Sequence, residues 1–181
     1  MKKIFLIYFL LLPFLVLAQK SSSVEKSIFT VQTGAVGIWV NNETRLTDEI
    51  ALRTEIGLYT EIVANSGFFM APEITLEPRW YYNIKKRVVN NKDITNNSAS
   101  FVTLKINFKS DVFEISGYDD DFDRAKNSFA IIPKWGIKRN IGRHFNYELG
   151  CGAGYVFQKN FSITNSGGIV VDLHLRIGYN F

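Results

Sequence analysis

Cysteine is almost absent from this sequence, since Cys151 is the only one among 181 residues. This excludes an internal disulfide framework and a metal site built on several cysteines. Basic residues exceed acidic ones by only four, and no long basic helix is present, so nothing indicates nucleic-acid binding. The mean hydropathy of +0.00 is too polar for a bundle of membrane-spanning helices. A membrane protein of this composition would have to cross the bilayer as strands.

One long apolar run is present, over residues 4–17, between two lysines and the small residue Ala18. This order of basic, apolar and small residues is typical of a cleaved secretory signal. A transmembrane anchor is the alternative, but the run is shorter than the ~20 residues that span a bilayer, and Pro13 interrupts it. We therefore expect a signal peptide over residues 1–18 and one mature domain over residues 19–181. No cysteine follows the run, so we expect no lipid anchor.

Alternation of apolar and polar residues is clearest in the last stretch, Gly168–Phe181, where every odd position is apolar. Most even positions are charged, polar or glycine. Because side chains of an extended strand point to opposite faces in turn, this stretch has one apolar and one polar face. Its last two apolar positions are the aromatic residues Tyr179 and Phe181, which are typical of a membrane interface. Other stretches alternate in the same way: residues 50–63, 68–83, 101–108, 128–138 and 145–157.

These stretches predict an all-β fold, an antiparallel up-and-down transmembrane β-barrel of about eight strands. Seven strands are recognisable. A further strand is expected within residues 24–46, divided near Gly34–Gly37, because single-chain bacterial barrels have an even number of strands. Pro72 and Pro78 argue against a central strand unless the ladder is locally open there. Residues 84–99 are expected to be a polar connection with room for one helical turn.

Soluble and membrane barrels differ in which face of their strands points inward. A soluble barrel has its apolar face inside, whereas a membrane barrel has its apolar face outside. Three features favour the membrane barrel. The polar face carries both charges in near balance, which a narrow interior needs because an unpaired buried charge is costly. Glycines on that face leave room for long side chains, and aromatic residues lie near strand ends on the apolar face.

We therefore predict an ion-pair network inside the barrel and interfacial aromatic residues outside. Lys105 and Lys138 also lie on the charged face. The predicted network comprises Glu43, Arg45, Arg53, Glu55, Glu73, Glu77, Arg79, Lys134, Glu148, Asp172 and Arg176. The predicted membrane-interface aromatics are Trp80, Tyr82, Trp135, Tyr155, Tyr179 and Phe181.

Three stretches carry a family resemblance: Arg53–Leu58, Arg79–Tyr82 and Gly178–Phe181, together with the signal and the alternating meander. With them the mature chain resembles the outer-membrane β-barrel proteins of the Bacteroidota and, more loosely, the small OmpA/OmpX-type barrels. The resemblance implies insertion into the bacterial outer membrane, among its lipid and lipopolysaccharide. It also implies that the barrel-assembly machinery recognises the C-terminal aromatic strand. It implies no catalytic residue and no cofactor.

Candidate chemistry is sparse. His174 shares the polar face with Glu148 and Asp172, and a histidine beside a carboxylate is one part of a hydrolase site. The alternative is that His174 is a hydrogen-bonded member of the interior network. Asp119–Asp121 and Asp123 form an acidic stretch that lacks the spacing of an EF-hand, so we expect a solvated loop and no metal site.

An eight-stranded barrel has an interior just wide enough for its own side chains. We therefore predict a plugged lumen and a structural or surface-interaction protein of the outer membrane. Two other functions stay open. One is an outer-membrane hydrolase that acts on lipid or peptide with His174 as base, and the other is a small-solute pore. The sequence predicts no particular oligomeric state.

Overall fold

The computed structural model describes residues 22–63, 67–110, 115–116, 127–158 and 166–181. The predicted signal peptide and the acidic stretch at 119–123 lie outside these ranges.

Strands make up most of the described chain. Eight of them are long: β1 (Ser27–Gly34), β2 (Gly37–Arg45), β3 (Ile50–Val63), β4 (Gly67–Trp80), β5 (Ser100–Lys109), β7 (Ser128–Ile141), β8 (Phe145–Gln158) and β9 (Ser166–Asn180). A short strand, β6 (Ile115–Ser116), pairs with β4. One helix, α1 (Ile84–Val89), and a 3-10 turn (Thr95–Asn97) lie between β4 and β5. In the described part of the chain, no helix is long and apolar enough to cross a membrane.

The eight long strands form a closed barrel. Each pairs antiparallel with the next long strand, and β9 returns to pair with β1. The predicted eight-stranded up-and-down barrel is therefore confirmed. The strand that the sequence left hidden is one arm of the β1–β2 hairpin, which turns between Gly34 and Gly37 as expected. Gly37 has a φ of +146°, in the region that favours glycine.

The strand order defines two ends of the barrel. The terminal end holds the start of β1, the end of β9 and the connections 46–49, 81–99 and 142–144. At the opposite end, which we call the loop end, β1 turns into β2, β3 into β4, β5 into β7 and β8 into β9.

Both prolines of β4 lie where its ladder with β5 is open. Pro78 has no register partner in β5, and the Thr103 hydroxyl donates to its carbonyl at 2.9 Å. Pro72 lies beyond the last β4–β5 pair, where the Ser110 N–H donates to its carbonyl at 3.0 Å. Neither position requires the N–H that proline lacks.

Burial shows which face points inward. Leu173 and Leu175 on β9 are 73% and 58% exposed, whereas Arg176 beside them is 6% exposed and Glu77 on β4 is 3% exposed. The charged face therefore lines the interior, and the apolar face forms the outer surface. This is the orientation that the charge balance predicted.

Residues 81–99, which we call the cap, close the terminal end. The cap carries apolar side chains that pack with residues of β3, β5 and the segment before β1. This cluster comprises Val24, Ala51, Tyr81, Ile84, Ile94, Ala99 and Phe101. Connections usually run over the surface because their backbone groups need water. The cap instead buries its apolar residues against the barrel opening, so the connection predicted from the sequence is a closing element.

Some inward glycines make room for large neighbouring side chains. A Cβ at Gly136 would lie 2.4 Å from the Phe101 ring, and one at Gly57 would lie 2.1 Å from the Trp39 ring. A Cβ at Gly168 would have no atom within 4 Å. The rings of Phe101 and Trp39 are buried, so these glycines are needed for the packing of the interior.

We expect Gly136→Ala to lower the free energy of unfolding by about 1–3 kcal/mol, because the added methyl overpacks the site of the Phe101 ring. Equilibrium urea unfolding from detergent micelles or lipid vesicles measures this change. Gly168→Ala is the matched control and should change stability by less than about 0.5 kcal/mol. Adding Phe101→Leu to Gly136→Ala should recover part of the loss. Equal stability of the two glycine variants would contradict this account.

Candidate functional site: the charged interior

The interior is built by alternate residues of the strands. On β3 these are Arg53 and Glu55, and on β4 they are Glu77 and Arg79, all fully or almost fully buried. Antiparallel pairing places Arg53 opposite Glu77. Opposite positions of two paired strands share a face, so these unlike charges lie side by side on the inner face of the barrel.

Glu148 on β8 is the centre of the network. Its carboxylate accepts hydrogen bonds from Arg79 at 2.8 Å on each oxygen and from Arg53 at 3.0 Å. His174 Nε2 lies 3.2 Å from the same carboxylate. Arg79 thus binds Glu148 through two parallel hydrogen bonds, the geometry in which an arginine–carboxylate pair is strongest.

Glu43 on β2 joins the network to the cap. One of its oxygens accepts from Lys138 at 3.1 Å and from Arg79 at 3.2 Å. The other accepts from the Tyr81 hydroxyl and from the Asn97 side-chain amide, each at 2.8 Å. Burial and the nearby Glu43 carboxylate raise the pKa of Tyr81, so its hydroxyl keeps the proton that it donates.

A third group lies nearer the loop end. Asp172 accepts from Lys105 and from Lys134, each at 2.9 Å. Arg176 pairs with Glu55 at 2.8 Å, and its guanidinium lies 3.7 Å from the centre of the Trp39 ring. Arg53 also pairs with Glu55 and therefore connects this group to Glu148.

The charges of the network balance. Together with Glu73, the network of described residues holds six basic and six acidic side chains. The basic ones are Arg53, Arg79, Lys105, Lys134, Lys138 and Arg176, and the acidic ones are Glu43, Glu55, Glu73, Glu77, Glu148 and Asp172. This group is neutral and densely hydrogen-bonded, which suits a plug better than an ion pathway.

Two predicted members differ from the rest. Glu73 is buried, but it accepts hydrogen bonds from Trp39 and Asn107 and forms no ion pair with a described residue. Arg45, at the end of β2, is half-buried, and its Nε has no hydrogen-bond partner among the described residues. No ion pair to another described residue includes it, so Arg45 lies outside the network that the described residues form.

Four further side chains join the predicted members. Lys105 and Lys138, which the sequence places on the charged face, join as full members. Tyr81 and Asn97 belong to the cap. The alternation over residues 68–83 places Tyr81 on the inward face, whereas no sequence periodicity places Asn97, which the folding back of the connection positions.

His174 makes its contacts within the network. Its Nδ1 lies 3.0 Å from Lys134 Nζ and 3.3 Å from Asp172, and its Nε2 faces Glu148. Among the described residues no hydroxyl or thiol hydrogen-bonds to it, so the nucleophile of a hydrolase is not in place. Nor do the described residues contain a cluster of three or more histidine, cysteine or carboxylate side chains that could hold a metal ion.

The predicted aromatic residues all lie on the outer face. Trp80, Tyr82, Tyr179 and Phe181 lie at the terminal end, and Tyr155 lies near the loop end of β8. Trp135 differs, because it lies in the middle of β7 and donates to the Tyr82 hydroxyl at 2.9 Å. Aromatic residues therefore occur near both ends of an otherwise aliphatic outer surface.

Together these features define a class, a small closed barrel with a charged, neutral interior and an apolar exterior. No family model and no curated protein sequence matches the chain. Among solved structures, it is similar to the N-terminal β-barrel domain of Pseudomonas aeruginosa OprF, with 12% identity, 87% of this chain and 98% of that chain covered, and a TM-score of 0.46. It is also similar to a major outer membrane protein from Thermus thermophilus, with 12% identity, coverage of 87% and 100%, and a TM-score of 0.33.

We expect Glu148→Gln to destabilise the protein by about 3–5 kcal/mol, because two buried arginines lose the charge that neutralises them. The midpoint of urea unfolding, followed by tryptophan fluorescence, measures the change. The control is Glu25→Gln, whose side chain is exposed before β1, and it should shift stability by less than about 0.5 kcal/mol. Equal midpoints for the two variants would show that the network does not stabilise the fold.

Proposed function

We propose that this protein is an integral barrel of the bacterial outer membrane whose lumen is filled by its own side chains. Its role is structural or one of surface interaction. The observation that carries the proposal is the inverted burial, with charged side chains inside and aliphatic side chains outside. In water this arrangement would be unfavourable, because burying apolar surface is the main force that stabilises a fold. In a bilayer it is the favourable one.

The outer surface supports a membrane location in more detail. The exposed residues of β9 alternate as Ile169, Val171, Leu173, Leu175 and Ile177, ending in two aromatics. A contiguous apolar surface of this size is rare on soluble monomers. Aromatic residues near both ends match the two interfaces of a membrane, where their amphipathic rings are favourable.

Two barriers in series support a plugged lumen. At the level of Glu148 the ion-pair network joins side chains of β3, β4, β8 and β9 across the interior, and the cap covers the terminal end. Glu43 belongs to both, because it binds Lys138 inside the barrel and Tyr81 in the cap. Displacing one barrier alone would leave the other in the path of a solute.

The remaining parts of the proposal rest on the sequence. A signal peptide over residues 1–18 would export the chain, and the aromatic end of β9 would engage the barrel-assembly machinery. Outer-membrane lipid and lipopolysaccharide are the expected surroundings. The resemblance to Bacteroidota barrels stays a prediction, since no family model matches.

We expect Leu173→Arg to destabilise the protein in lipid vesicles by about 2–4 kcal/mol, the cost of a basic residue on the lipid face near the bilayer centre. Equilibrium unfolding in vesicles measures it. Val89 is the control, because it is 80% exposed on α1 at the outside of the cap, and Val89→Arg should have an effect below about 0.5 kcal/mol. If Leu173→Arg were harmless and the protein stayed folded without detergent or lipid, a soluble barrel would replace the proposal.

We also expect no unitary conductance steps from the purified protein in planar bilayers at neutral pH, because the neutral network and the cap both block the axis. A large porin measured in the same bilayers is the positive control. Reproducible steps that scale with the amount of inserted protein would favour the alternative of a small-solute pore.

A further inference from the structure

The wall of the barrel is not equally complete along its height. β9 pairs with β8 over its whole length, from Ser166 to Tyr179. Its pairing with β1 extends only from Asn180 to Arg176, because β1 ends at Gly34 and the chain turns into β2. Above Arg176, towards the loop end, β9 therefore has a described neighbour on one side only.

The direction of the backbone groups follows from two hydrogen bonds at the terminal end. The N–H of Phe181 donates to Phe29 of β1, whereas the N–H of Asn180 donates to His144 on the β8 side. The β8–β9 register contains no bulge, so backbone groups of odd-numbered residues point towards β1. At Ile169, Val171 and Leu173 they point to the side where no described strand lies. We call these three residues the open edge.

Side-chain exposure agrees with an open edge. Leu173 is 73% exposed and Ile169 is 84% exposed, whereas Leu149, which faces outward on the doubly flanked strand β8, is 41% exposed. The higher values on β9 are those expected for a strand with one neighbour.

The open edge faces a gap in the wall. β1 and β2 stand between β9 and β3, so among the described residues their early turn leaves the space of two strands at the loop end. At roughly 4.8 Å between neighbouring strands, β9 and β3 are about 14 Å apart there. The gap lies between the levels of Tyr155 and Tyr179, the outer aromatic residues of β8 and β9 near opposite ends. On the proposed membrane location, on which this inference rests, Val171 and Leu173 lie at the depth of acyl chains, and Ile169 lies at the level of Tyr155.

An open edge at this depth calls for a backbone partner. Unpaired N–H and C=O groups in hydrocarbon cost several kcal/mol each, so lipid-exposed sheet edges are avoided. An acyl chain has neither donors nor acceptors to satisfy them. A second copy in the same membrane orientation would place its β9 parallel to this one. A two-fold axis along the membrane normal would then place N–H opposite N–H and C=O opposite C=O. The open edges of two copies therefore cannot form a hydrogen-bonded ladder with each other.

We propose that the open edge of β9 is a docking site for an extended segment of a different chain, which adds as a strand antiparallel to β9. Strand addition of this kind takes its affinity from main-chain hydrogen bonds and its selectivity from alternate side chains. The residues beside the site define the partner. The outer side chains of Ile169, Val171 and Leu173 are aliphatic, so the partner has apolar residues at alternate positions facing lipid.

The test uses the full protein in detergent micelles and a labelled synthetic peptide. The peptide has the sequence of residues 151–157 with serine in place of Cys151, because this segment already pairs antiparallel with β9 on its other side. Fluorescence anisotropy reports binding, and amide exchange at Val171 and Leu173 reports its location. The control peptide is methylated on alternate backbone nitrogens, so that it cannot donate to the edge.

Val171→Pro removes one N–H from the open edge and leaves the β8 ladder intact, because that N–H points away from β8. We expect it to weaken peptide binding by about tenfold or more, the effect of one lost hydrogen bond together with a steric block. Val171→Ala keeps the N–H and should bind as the parent does. Ile169→Pro is a second variant at the same edge, and heat-modifiable gel mobility shows that each variant is folded.

The inference holds if the amides of Val171 and Leu173 exchange fast in the protein alone and slowly with the peptide, and if the proline variants lose binding while Val171→Ala keeps it. It is overturned if these amides are already as protected as that of Asp172, which would mean that the chain pairs its own edge. Absence of peptide binding, or equal binding by the methylated peptide, also overturns it. The proposed membrane location fails separately, if the protein stays folded without detergent.

Discussion

Neutralisation of buried charge inside a narrow barrel is the constraint on which the rest of this structure depends. An eight-stranded barrel leaves space for side chains and little else, so each long charged residue must find its counter-charge within reach of its own strand. Glu148 does this for Arg53 and Arg79 together. Each such carboxylate is deeply desolvated, which makes an intact pair tolerable and a broken pair very costly. The interior therefore selects one register for all eight strands, since a slip by one residue would send the charges of a strand to the apolar outer face.

The same constraint explains why the terminal end is closed by a cap. Glu43 has four donors, two of which come from the barrel and two from residues 81–99. Without Tyr81 and Asn97, one oxygen of this buried carboxylate would face an open end and admit water to the network. The apolar cluster around Phe101 then covers this layer, with the Arg79 guanidinium 4.2 Å from the centre of the ring. Charge pairing and apolar packing are thus consecutive layers of one seal.

The alternation of residues and the charge balance were enough to predict the barrel, seven of its strands and the inward face, whereas the eighth strand followed from the even strand number of single-chain barrels. It was also enough for Arg53, Arg79 and Glu148, which lie within strands. It failed where position depends on how the chain folds back. Arg45 alternates correctly, but it lies at the last residue of β2 and forms no ion pair with a described residue. Asn97 carries no periodic signal, since a connection between strands positions it.

The strands differ in length, so the wall of the barrel is higher at some strands than at others. The sequence of one strand alone does not show this difference. β1 has eight residues, while β9 has fifteen. At the terminal end this mismatch has no consequence, because β1 and β9 pair there and the cap covers the opening. Towards the loop end the shorter hairpin leaves β9 with backbone groups that only another strand can satisfy in hydrocarbon. A barrel whose sole task was to fill space in a membrane would gain stability by lengthening β1 and β2. On the proposed membrane location, the early turn of β1 and β2 leaves the room that the proposed partner strand would occupy.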